Sequence, residues 1–136
     1  KKIRQKEMKE HDHGFWGNVD ALHDWCELNY VVTYYVAEFY NSISSLPMAF
    51  WSIIGIILTR KYATKEYRFM LSFLLLSFVG IGSAAFHGTL RFHAELLDEI
   101  PMLFLNVSLM YNILQWNKSS SNIKLIIILI LYTIFI

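Results

Sequence analysis

Ser83-Ala84-Ala85-Phe86-His87 closes a long apolar run, and Leu96-Leu97-Asp98-Glu99 follows shortly after it. A hydroxyl and an imidazole four residues apart share one face of a helix, so Ser83 and His87 can address a single reacting group. Ionisable groups at the rim of a membrane segment are functional sites by default, and with the Asp98 carboxylate nearby the set points to metal-assisted hydrolysis. His87 alone makes no catalytic zinc site, which needs three protein ligands and an open position. His93 lies six residues on, roughly 240° around a helix, and cannot share its face. His11 and His13 fall in a charged tail, and His23 beside an acidic cluster. Each residue also has a plainer use. His87 can bond a backbone carbonyl, and Ser83 can bond back to the carbonyl one turn earlier. Asp98 and Glu99 can serve a helix N-terminus ahead of Pro101, the role assigned here to Glu99. Gly80, Gly82 and Gly88 can allow close helix contact.

A second constellation lies upstream. Asp24, Glu27, Asn29 and Glu38 supply four hard oxygen ligands within a short stretch, as a Ca²⁺ site requires, although the spacing is not that of an EF-hand. An acidic loop that caps a helix explains the same residues, and spacing alone balances the two. Glu38, Asn41, Ser42 and Ser45 then recur at i, i+3, i+4 and i+7, one polar stripe that must face protein or water. Pro47 is expected to end it, with a kink that a bundle tolerates.

The elements that must hold these residues are helices in a membrane. Of 136 residues, 55% are hydrophobic, 16% aromatic and 17% charged, too apolar for an ordinary soluble domain of this size. The net charge of +1 gives no support to nucleic-acid binding, and the single cysteine, Cys26, forms neither an internal disulfide nor a two-cysteine metal motif. The chain opens on Lys1-Lys2-Ile3-Arg4 without a signal-peptide core, so insertion is expected to use the first span. Residues 1–13 read as a mobile charged tail, 14–32 as an aromatic, acidic interfacial segment, and 33–136 as the transmembrane region. Spans are expected at about 33–58, 69–90 and 96–116, each near the ~20 residues that cross hydrocarbon. The stretch 123–136 reaches only about 21 Å of a roughly 30 Å core, so a fourth helix is expected to be broken off. Arg60, Lys61, Lys65 and Arg68 follow the first span, and Lys118 and Lys124 the third, which places the N-terminus and His87 on the lumenal side. The sequon at Asn117 then faces the cytosol, and that at Asn106 lies within a span.

The blocks Gly14-Phe15-Trp16-Gly17, Asp24-Trp25-Cys26-Glu27-Leu28-Asn29-Tyr30, Tyr35 to Ser42, Gly80 to His87 and Leu96 to Met102 occur in the order in which they stand in the alkaline ceramidases, membrane amidases of the superfamily that also holds the adiponectin receptors. The chain resembles that family closely from residue 14 to about 102. The resemblance implies the N-terminal half of a seven-helix all-α hydrolase, cut in its fourth helix, that cleaves ceramide to a sphingoid base and a fatty acid in the endoplasmic reticulum or Golgi. By resemblance His87 is the first of three zinc histidines, Ser83 steadies the oxyanion and Asp98 is the acid/base carboxylate. Asp24, Trp25 through its carbonyl, Glu27, Asn29 and Glu38 hold calcium. The remaining zinc ligands belong to an H-x-x-x-H pair on the family's last helix, so these 136 residues alone are expected to be inactive. Asn18-Val19-Asp20 departs from the family's usual proline and small hydroxyl residues at the entry to the calcium loop. Ceramide and the bilayer are the expected partners, with no obligate protein. A differently selective hydrolase or receptor of the superfamily, or a non-catalytic membrane fragment, are the competing readings.

Overall fold

The computed structural model describes residues 13–23, 25–63, 66–116 and 122–135; Asp24, the first twelve residues and the sequon at Asn117 lie outside them. A small antiparallel ribbon, β1 (His13–Gly14) against β2 (Gly17–Asn18), opens the described chain. Four helices follow: α1 (Phe39–Tyr62), α2 (Tyr67–Thr89), α3 (Phe92–Leu114) and α4 (Ile123–Phe135). Short connections make consecutive helices antiparallel neighbours. α1 packs along α2 and α2 along α3, and α4 lies more lightly on α3.

The chain is all-helical as expected, with shifted boundaries. α1 starts at Phe39 rather than near 33, because Thr33 and Val36 close a turn and Glu38 is the cap. It runs through Pro47 to Tyr62, and the stripe expected to stop at that proline continues. Ser45, Ala49, Ser52 and Gly55 are its buried positions, at helical spacing. α2 fits its expected range within two residues, whereas α3 begins at Phe92, four residues before the expected start. Asp20 is the reason: its Oδ1 accepts the Phe92 N–H at 2.7 Å, satisfying a first-turn donor. Among the described residues α1 and α2 combine the length and apolarity that cross a membrane. α3 is as long, but it carries Glu95, Asp98 and Glu99 in its first turns.

Close contact fixes how the helices sit. A Cβ on Gly80 would stand 2.6 Å from the Ala49 nitrogen, and one on Gly82 would stand 2.3 Å from the Leu97 carbonyl oxygen. Neither neighbour can yield, since both are backbone, so these glycines set the α1–α2 and α2–α3 distances. Gly88 meets only Ser42 Oγ, at 3.6 Å. At the rim the chain passes from α2 to α3 through Leu90 in a left-handed conformation, φ 47°. Leu90 is fully buried with Tyr30, Ala37 and Phe86, and its carbonyl accepts the Asp20 and Ala21 N–H groups at 3.2 Å each. The segment 13–38 is thereby laid across the helix ends as a strap. Ala37 and Glu38 donate their N–H groups to Gly88 O and His87 O, at 2.9 and 2.8 Å, filling carbonyls that the end of α2 leaves open.

Candidate active site

The polar stripe of α1 faces the last turns of α2. Glu38, fully buried, sits at the N-cap of α1 yet gives its own helix no side-chain cap. Its Oε2 instead accepts the Nδ1–H of His87 at 2.5 Å, and the Asn41 amide at 3.1 Å. Ser42 Oγ donates to Ala84 O at 2.9 Å, and Ser45 Oγ lies 3.0 Å from Ser83 Oγ. Capping falls to a residue from the strap: Glu27 takes the Tyr40 and Asn41 N–H groups on its two oxygens, at 2.8 and 2.9 Å. Such a cap is worth about 1 kcal/mol. Of the two roles weighed for the acidic segment, helix capping is therefore visible at Glu27 and not at Glu38.

His87 is mostly shielded, its side chain 12% exposed. In a neutral imidazole that donates Nδ1–H to Glu38, Nε2 is the nitrogen with the lone pair. A carboxylate behind a histidine is the usual outer partner of a metal-bound imidazole, fixing its tautomer and ring plane. Asp98 comes from α3 where Gly82 lets Leu97 approach α2. Its Oδ1 is buried without a hydrogen-bond partner, within electrostatic range of His87. The Trp25 ring lies 6.1 Å from the imidazole, and its own side is exposed.

These residues pass a chemical test for cations. Asn29 Oδ1 and Glu38 Oε1 are buried without partners. Unpartnered oxygens of that kind are the ligand type a hard divalent ion such as calcium takes. Nε2 of His87 and Oδ1 of Asp98 suit zinc as a partial set. His93 does not complete it: it is exposed on α3 and stacks on Phe92. Among the described residues the one group of three candidate ligands close enough to hold an ion is His23, Glu95 and Glu99.

That group was not anticipated. Glu95, 2% exposed, accepts the Leu22 N–H on Oε2 at 2.7 Å. Its Oε1 accepts the His23 N–H at 3.1 Å and sits 2.6 Å from His23 Nδ1. Glu99, expected to serve a helix N-terminus, lies further along α3 with Oε1 3.6 Å from the same ring nitrogen. Accepting the His23 ring N–H, Glu95 raises the imidazole pKa above its ordinary value; loss of hydration opposes this, and the charges of Glu95 and Glu99 add to it. The i, i+4 spacing of Glu95 and Glu99 was readable, but nothing in the sequence ties them to a strap some seventy residues earlier.

Two helices of membrane length thus meet at one end around a histidine, a serine and carboxylates. The family described as Ceramidase matches residues 17–136. Alkaline ceramidase 3 of Mus musculus is 41% identical over 123 residues, covering 89% of this chain and 46% of that protein. Alkaline ceramidase YPC1 of Saccharomyces cerevisiae is 40% identical over 94 residues, 67% of this chain and 28% of that protein. Alkaline ceramidase 1 of Homo sapiens is 40% identical over 83 residues, 60% of this chain and 31% of that protein. The chain belongs to the ceramidase family. It spans about half the length, or less, of the curated relatives it matches.

Proposed function

We propose that this chain is the N-terminal half of a seven-helix membrane amidase that hydrolyses ceramide to a sphingoid base and a free fatty acid. The observation that carries the reading is His87, whose Nδ1 is engaged by the buried Glu38, one turn from Ser83 and within electrostatic range of Asp98. α1, α2 and α3 are the first three spans, and on the family resemblance the other helices and two further histidines belong to the part of such a protein beyond this sequence. The strap end faces the lumen of the endoplasmic reticulum or Golgi, where ceramide reaches the site from the bilayer.

His87 would offer Nε2 to a zinc ion, which when bound would supply a water activated near neutral pH. Ser83 donates its hydroxyl proton to the amide carbonyl oxygen, where charge gathers as the carbon is attacked. Asp98 takes a proton from the attacking water and delivers it to the leaving nitrogen, a transfer for which its open Oδ1 is placed. Asp24, Trp25 through its carbonyl, Glu27, Asn29 and Glu38 would hold calcium, which would brace the strap against α1. Since Glu38 also holds the imidazole, the two sites would share one carboxylate.

The test uses the full-length protein in detergent, with sphingoid-base release from ceramide as the readout. His87→Ala and Asp98→Ala are each expected to remove turnover while the protein still folds. The 136 residues expressed alone are expected to bind no stoichiometric zinc and to leave ceramide intact. Turnover by the chain alone together with bound zinc, or an active Asp98→Ala, overturns the assignment.

A further inference from the structure

At the opposite end of α2 from His87, α1 and α2 enclose a slot of about 590 Å³, within the roughly 300–1,000 Å³ range of ligand pockets. Ile56, Thr59 and Arg60 of α1 and Tyr67, Met70 and Leu74 of α2 line it. Arg60 stands in the last turn of α1 and Tyr67 opens α2, so the polar groups sit at the helix ends. Ile56, Met70 and Leu74 lie about one to two turns further in, where a span meets hydrocarbon. The slot is polar at its mouth and apolar along its depth.

Two groups at the mouth are without partners among the described residues. Arg60 is exposed and makes no ion pair: Glu66, the carboxylate in the lining, bonds Arg68 Nε at 2.8 Å, and Lys61 lies over the Tyr62 ring. Thr59 keeps its hydroxyl uncommitted, whereas Thr89 and Thr133 bond theirs back to the carbonyl one turn earlier, at 2.8 and 2.9 Å. A guanidinium and a hydroxyl left open above apolar walls suit a phosphate carried on a hydrocarbon chain. The slot also faces away from the reacting side. Around α2, Leu74 is about 180° from Ser83 and about 160° from Ser72, which bonds α3. A helix that brings further histidines to His87 gathers on the Ser83 side, which leaves this flank to the bilayer.

We propose that this slot binds an anionic glycerophospholipid from the surrounding leaflet, with its phosphate on the Arg60 guanidinium and the Thr59 hydroxyl, and one acyl chain along Ile56, Met70 and Leu74. This rests on the membrane placement of α1 and α2 given above and assigns no catalytic role. The basic run Arg60, Lys61, Lys65 and Arg68 favours negative lipids at this end, and Arg60 is the cation of that run in the lining.

The experiment follows the melting temperature of the delipidated full-length protein in neutral detergent as dihexanoyl phosphatidate, dihexanoyl phosphatidylcholine or inorganic phosphate is added. Phosphatidate is expected to raise it saturably by a few degrees, and the other two to leave it unchanged. Arg60→Gln, an exposed change, is expected to weaken the apparent affinity about tenfold, the worth of one charge-assisted bond. Met70→Trp, which fills the path of the chain, removes the response with Arg60 in place; Leu74→Trp is the second block should Met70→Trp melt early on its own. Lys61→Gln, outside the slot, leaves the response intact. A response that survives Arg60→Gln or both tryptophans overturns the site. An equal loss from Lys61→Gln reduces it to loop charge, and an equal response to inorganic phosphate reduces it to an anion contact without a chain; either overturns the proposal. Binding is read without turnover, so a native protein that binds phosphatidate but leaves ceramide intact sinks the hydrolase reading and not this one.

Discussion

Two buried polar clusters join α2 to its neighbours, one at each end. At the strap end stand Glu38, Asn29, His87 and Asp98. At the far end Ser72 and Ser108 Oγ lie 2.7 Å apart, Asn112 donates to Ser72 Oγ at 2.7 Å, and Arg68 donates to Gln115 O at 2.6 Å. Each cluster leaves oxygens without partners: Asn112 Oδ1 and Gln115 Oε1 at the far end, Asn29 Oδ1, Glu38 Oε1 and Asp98 Oδ1 at the strap end. The difference lies in charge. A buried amide oxygen left without a partner is neutral and costs about 1–3 kcal/mol. A buried carboxylate oxygen calls for a cation or a proton, since an isolated charge in a low dielectric is far costlier. The far end joins its helices through neutral groups and one arginine, whereas the strap end carries two carboxylates, Glu38 paired with His87, and the proposed cation sites rest on that difference.

Removing calcium tests this most severely. At an ion concentration 100 times its Kd, a site present only in the folded protein adds about 2.7 kcal/mol, all of it lost to a chelator. In the full-length protein Asn29→Ala and Glu38→Gln are expected to abolish the chelator-dependent drop in melting temperature, and Asn112→Ala to leave it intact. A chelator response that survives Asn29→Ala and Glu38→Gln would erase the contrast between the ends.

Next in size is Gly82→Ala. The added methyl meets a backbone carbonyl, so α3 must move away at a cost of about 1–3 kcal/mol. Because Asp98 rides on the displaced turn, turnover is expected to fall further than stability accounts for. Asn112→Ala provides the contrast: about 0.6–1.7 kcal/mol of helix association, with kcat unchanged. Thermal melts and kinetics on the same preparations separate the two ends.

What the sequence revealed follows from how far apart the bonded residues are. Ser83 with His87, and Glu38 with Asn41, Ser42 and Ser45, were readable as faces because i, i+3 and i+4 spacing is geometry. The facing of one stripe by the other, Ser45 on Ser83 and Glu38 on His87, needed the helix pairing. Past Pro47 the helix runs on as its span required, and its buried face passes from polar residues to Ala49, Ser52 and Gly55. The strap was the least readable part. Asp20 capping α3, Glu27 capping α1 and Glu95 holding Leu22 and His23 are contacts between segments that no local periodicity connects.

The smallest expected effect belongs to that last contact, and it separates fastening from ion binding within the strap end. Glu95 accepts two strap N–H groups whatever the pH, whereas the bond from the His23 ring gains when the imidazole is charged. Glu95 raises the folded-state pKa of His23 above its ordinary 6.5. A group raised on folding contributes its full stabilisation below the unfolded pKa and loses it as pH climbs through the folded one. In calcium-free buffer the melting temperature should thus fall modestly as pH rises from about 6.5 through the raised value, and His23→Ala should remove that slope. The ring is largely exposed, so the change is small and shrinks with salt. Glu95→Gln should cost more than His23→Ala at every pH, because the amide nitrogen turns a donor toward strap N–H groups that need an acceptor. An equal loss from the two variants would mean that the ion pair, rather than the two backbone bonds, holds the strap to α3.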